Sequence, residues 1–94
     1  LVLDGDDGAT LVDTGLADPR TIAALDASLA ATLAGRPLAR VVVTHFHPDH
    51  VGNAARLCAA HGAPLLMPEP EWATARRLAA DDAPGLPAEW ARFY

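Results

Sequence analysis

Three of the chain's four histidines and one aspartate fall within six residues, inside the stretch Thr44-His45-Phe46-His47-Pro48-Asp49-His50-Val51-Gly52-Asn53. Imidazole and carboxylate are the side chains that bind Zn²⁺ or Fe²⁺ near neutral pH. Spacing adds a geometric reason. In an extended segment successive side chains alternate between faces, so His45 and His47 share a side and can grip one metal, with Phe46 turned the other way. Pro48 disfavours the helical region for His47 and keeps that geometry up to the turn. Asp49 and His50, being adjacent, cannot repeat the arrangement, and a second, neighbouring metal position is their natural place. Asp49 also gains from the positive end of the helix that starts there. Gly52 is expected to let the backbone turn tightly beside the metals. A lone histidine would be read as a satisfied core residue, but three with a carboxylate would bury too many titratable groups without a cation.

The elements that must hold this stretch can be traced outward from it. Arg40 to Thr44 is a β-branched run without alternation, expected of an interior strand buried on both faces and stiff enough to mount ligands. Leu1 to Leu3 and Ala9 to Asp13 read as antiparallel strands around an Asp4–Gly8 turn. That acidic turn is not a calcium loop, because Gly8 and Gly15 stand where an oxygen donor and a glutamate would be required. Asp18-Pro19 marks a helix start, Ile22, Leu25, Leu29 and Leu33 give it one apolar stripe, and Gly35 is expected to close it. A helix over Ala54 to Ala60 ends at Gly62. It carries Cys58, read as a small core residue rather than a thiolate ligand, and is followed by His61, favourable at a helix C-terminus. Pro64 to Met67 reads as a strand. Glu71 to Ala80 reads as a helix with Trp72, Ala75 and Ala79 on one face and Arg76 and Arg77 outward. Beyond a proline- and glycine-rich loop, Trp90, Phe93 and Tyr94 either line a substrate cleft or pack into a core.

Composition narrows the class. Ninety-four residues, 51% of them hydrophobic, suffice for one globular core and no more than one domain. Net charge is −5, lysine is absent and only Arg76 and Arg77 adjoin, so nothing here forms the clustered basic surface that nucleic acid requires. A single cysteine excludes an internal disulfide framework and fits a reducing cytoplasm, the expected location. No stretch approaches the roughly 18 apolar residues of a membrane span.

The segment THFHPDHVGN resembles the HxHxDH signature of the metallo-β-lactamase superfamily, and Leu11-Val12-Asp13-Thr14-Gly15 is similar to the strand-end DTG element that precedes it there. The resemblance implies an α/β fold, half of an αββα sandwich with a mixed sheet covered by helices. Residues 1–94 would be an N-terminal half-domain truncated at both ends, inactive alone, with the remaining ligands downstream. By the same resemblance His45 and His47 ligate one metal and Asp49 and His50 a second, two Zn²⁺ per complete domain or Fe²⁺ instead. Asp13 lies beneath the metal loop and orients backbone or ligands through hydrogen bonds. The implied activity is hydrolysis of an ester, thioester, lactone or related bond in a small-molecule substrate by metal-activated water, with Asp49 orienting that water and receiving its proton. A mono-iron persulfide dioxygenase and a non-catalytic family member are the alternatives. Oxygen-reducing di-iron relatives usually carry glutamate where His47 stands.

Overall fold

The computed structural model of the chain describes residues 1–79, so the expected loop and aromatic segment over 81–94 lie outside the described residues. Strand β1 (Val2–Gly5) turns through Asp6 and Asp7 into β2 (Gly8–Val12), pairing antiparallel with Gly5 opposite Gly8. Two residues therefore make the turn where five were expected. Asp6 and Asp7 do not take positive φ; Gly8, at the exit of the turn, does (φ 126°). Helix α1 (Pro19–Leu33) then crosses over, so that β3 (Leu38–Val42) runs parallel to β2. A second crossover, through the short α2 (Pro48–Val51) and α3 (Ala54–His61), places β4 (Leu65–Leu66) parallel to β3, and α4 (Glu69–Ala79) follows. The sheet is mixed and its order is β1-β2-β3-β4.

The ends of α1 and α3 largely follow the sequence signals, whereas α4 begins at Glu69, two residues ahead of the expected Glu71. The Asp18 carboxylate accepts from the N–H groups of Arg20 and Thr21, both at 3.1 Å, and from the Thr21 hydroxyl at 2.6 Å. Pro19 occupies the first turn, where its missing N–H is not needed. At the other end Ala34, not Gly35, takes the left-handed cap (φ 50°, ψ 44°) and donates its N–H to Ala30 O. Gly62 caps α3 in the same conformation, as expected.

One face of the sheet is covered. Ala9, Leu11, Leu38, Val41 and Val43 pack against Leu29 and Leu33 of α1 and Ala54 and Leu57 of α3 in one core cluster. Of the α1 stripe only Leu29 and Leu33 are fully buried, while Ile22 and Leu25 are half-buried. The opposite face carries Leu3, Thr10, Val12, Arg40, Val42 and Leu66, none of them buried. Interior position thus does not bury β3 on both sides: Val41 is 0% exposed, Val42 half-buried. On α4 Ala75 and Leu78 are buried, whereas Trp72 is 42% exposed with the Arg76 guanidinium 4.8 Å above its ring. Among the described residues no helix is long and apolar enough to cross a membrane.

Candidate metal centre

Strands β2 and β3 end side by side, and the segments leaving them are tied together at once. Asp13 N–H donates to Val42 O at 2.7 Å, and the Asp13 carboxylate accepts from Thr44 N–H at 2.8 Å and from the Thr44 hydroxyl at 3.0–3.1 Å. Asp13 does this from a left-handed backbone (φ 62°), a conformation that aspartate tolerates better than most side chains. Burial pushes its carboxyl up. The Thr44 N–H, the His50 ring and the Thr44 hydroxyl outweigh that and hold it below the ordinary carboxylate value.

A second, more deeply buried tie accompanies the first. Thr14 N–H and its hydroxyl both donate to His50 O, at 2.7 and 2.9 Å, and the same hydroxyl accepts from Asn53 N–H at 2.9 Å. The Asn53 amide donates to Thr14 O at 2.8 Å and Leu16 O at 3.1 Å instead of capping α3. Thr14 and Asn53 are each 1% exposed. Gly52 between them has ordinary helical angles, φ −51° and ψ −40°, so it is not a turn glycine. What requires glycine is crowding: a Cβ there would lie 2.6 Å from Pro48 O, 2.7 Å from Gly15 O and 2.8 Å from Ala17 N.

On this base sit the histidines. The strand ends at Val42 rather than Thr44, and His45 and Phe46 form a bend, so the donors ride on a loop and strand alternation does not govern them. His45 and His47 nevertheless meet edge-on, ring centroids 4.7 Å apart, and the His45 ring lies 3.8 Å from that of His50. Phe46 does not turn away; its ring meets His47 edge-on at 4.8 Å. His47 has φ −58° and ψ 143°, the extended region that a following proline favours. Nδ1 of His50 is buried 3.0 Å from Asp13 Oδ2 without the alignment of a hydrogen bond, and its Nε2 is 3.5 Å from Asp49 Oδ2. Asp49, in the first turn of α2, and His47 are exposed. The three imidazoles are therefore gathered, with Asp49 at their margin. Among the described residues, however, no three His, Cys, Asp or Glu side chains are arranged to hold one ion.

Thr14, Thr44 and Asn53 are the participants that residue chemistry overlooks, because none is a metal donor. A threonine after the strand-end aspartate, and an asparagine placed as an N-cap before α3, are the available signals. Cys58 is partly buried on α3 beside the core, and burial pushes its thiol up, as suits a packing residue.

The chain belongs to the metallo-β-lactamase superfamily, whose family model matches residues 1–91. It is also similar to a solved structure described as a beta-lactamase domain protein from Burkholderia ambifaria, with 32% sequence identity and a TM-score of 0.72. That match covers 85% of this chain and 26% of the other, so the chain spans about a quarter of that protein's length. A comparison with curated proteins returns no match. The mixed sheet with its helices agrees with part of the superfamily fold.

Proposed function

We propose that this chain supplies the first ligands of a metal-dependent hydrolase centre, with His45, His47, Asp49 and His50 as the ligands and Zn²⁺, two per complete domain, as the metal. The observation that carries the reading is the contact of the His45 ring with both His47 and His50, at 4.7 and 3.8 Å, beyond the ends of two parallel strands. Three imidazoles gathered in one place offer several neutral nitrogen donors to a single partner, and the donor set of imidazole and carboxylate suits a borderline-soft divalent cation. His47 and Asp49 are exposed, so both have room to turn toward it. Further donors come from beyond these residues.

A bound cation of this kind supplies Lewis acidity and a water acidic enough to ionise near pH 7. The chain's own residues provide the rest. Asp13 and Thr44 fix the start of the loop, Thr14 and Asn53 fix its end, and the Asp49 carboxylate stands exposed where it can orient a water and accept its proton. The bond attacked is of the ester, thioester or lactone class in a small molecule.

Metal analysis and turnover of the full-length protein test this together. About two zinc ions per chain are expected, and Asp49→Ala is expected to lower hydrolysis by about 10²–10⁴-fold. Near-wild-type hydrolysis by that variant removes Asp49 from the mechanism. One iron per chain with oxygen uptake assigns a persulfide dioxygenase instead.

A further inference from the structure

The Thr44 hydroxyl touches two partners at once. Its oxygen is 3.1 and 3.0 Å from the two carboxylate oxygens of Asp13 and 2.9 Å from Nδ1 of His45. A hydroxyl carries one proton, and an ionised carboxylate can only accept. If Thr44 donated to His45, its oxygen lone pairs would face both Asp13 oxygens at hydrogen-bond distance, which is repulsive. The proton therefore goes to Asp13, and Thr44 accepts from His45. We infer that Thr44 is a positioning residue: relaying the Asp13 carboxylate, it commits His45 to the Nδ1–H tautomer and leaves Nε2 as the ring's only free donor.

The same carboxylate acts on a second ring directly. His50 Nδ1 is buried 3.0 Å from Asp13 Oδ2. A lone pair there would oppose a carboxylate oxygen, so Nδ1 carries the proton even without ideal alignment; the Asp49 carboxylate near Nε2 is farther, at 3.5 Å, and solvent-exposed, so water screens it and leaves the choice to Asp13. One aspartate thus sets two imidazoles in the same sense, one through Thr44 and one by contact. Partners of this kind fix ring orientation and tautomer at metal sites, and their removal costs about 10–100-fold in affinity. Only the assignment of the freed Nε2 atoms to a cation rests on the proposed function; the tautomers do not.

Long-range ¹H–¹⁵N spectra of the imidazoles in the metal-stripped full-length protein, at about pH 8 and so above the ordinary histidine value, read the tautomers. In the wild type His45 and His50 are expected to carry the proton on Nδ1. In Thr44→Val, His45 alone is expected to revert to the Nε2–H-dominated mixture of an unconstrained imidazole, with His50 unchanged. Thr44→Ser is expected to restore the wild-type pattern. A wild-type His45 protonated on Nε2, or Nδ1–H retained in folded Thr44→Val, overturns the assignment. Should Thr44→Val fail to fold, the wild type and Thr44→Ser still decide it in the same way. Zn²⁺ titration is read separately: Nδ1–H on His45 without zinc binding upholds the relay and overturns the metal reading.

Discussion

Gly52→Ala should destabilise the protein although every backbone rule favours the change. With φ −51° and ψ −40°, position 52 suits alanine, and reduced freedom of the unfolded chain would by itself stabilise by about 0.5–1 kcal/mol. The methyl group, however, would lie 2.6–2.8 Å from three backbone atoms, Pro48 O, Gly15 O and Ala17 N. None is the tip of a flexible side chain, so α2 and the Gly15–Ala17 segment must separate. Overpacking of this kind costs about 1–3 kcal/mol. Separation also stretches the Asn53 amide bonds to Thr14 O and Leu16 O, and a buried donor left unpaired costs about 1–3 kcal/mol more. Against the propensity gain the net effect is about 1–5 kcal/mol of lost stability. Urea unfolding followed by circular dichroism reads it as a lower midpoint at unchanged slope. A Gly52→Ala protein as stable as the wild type, or more so, refutes the close approach of the two loops and with it the packing beneath the histidines.

Other outcomes follow from the same structure. Thr14→Val keeps the shape but removes the acceptor for the buried Asn53 N–H, and should cost about 2 kcal/mol in urea midpoint while Thr14→Ser costs little. Ala34→Gly relieves the left-handed cap of α1 and should raise stability by about 0.5–1 kcal/mol; an unchanged or lower midpoint places Ala34 outside that conformation. Asp18 has its carboxyl held below the ordinary value by the Thr21 hydroxyl and the Thr21 N–H. Its stabilisation is complete above the unfolded carboxylate value of about 3.9 and is lost as pH falls through the lower folded value. Asp18→Asn should therefore be less stable than wild type at pH 6 in thermal unfolding, the difference shrinking as pH falls below the unfolded carboxylate value. A difference that does not change with pH excludes the charge as the cause.

Much of this arrangement is legible in the residues. The hairpin, the Asp18-Pro19 start of α1, the Gly62 end of α3 and a short strand before the histidines all stem from local signals of capping, turn chemistry and β-branching. The position of Asp13 beneath the loop is legible through the family resemblance, and the structure places it there, bonded to Thr44. Local signals fail where distant segments compete. Gly52 looks like a turn residue until Gly15 and Ala17 are brought against it. The alternation assigned to His45, Phe46 and His47 presumes a strand that in fact ends at Val42, because Asp13 captures the Thr44 N–H and draws the chain out of the sheet. Thr14 and Asn53, 39 positions apart, carry no chemistry of their own to announce their pairing.

The parallel pairing of β2 with β3 has a consequence for how the centre comes into being. Asp13 and Thr44 are 31 positions apart and meet only after α1 has carried the chain across. Contacts so distant in sequence form against the entropy of closing the intervening loop. A short peptide containing only residues 44–53 would hold every candidate ligand yet lack the aspartate that steadies them. The histidines acquire their mutual orientation as a result of folding, so loosening the junction of the two strands would release Thr44 and, next to it, the first of the rings.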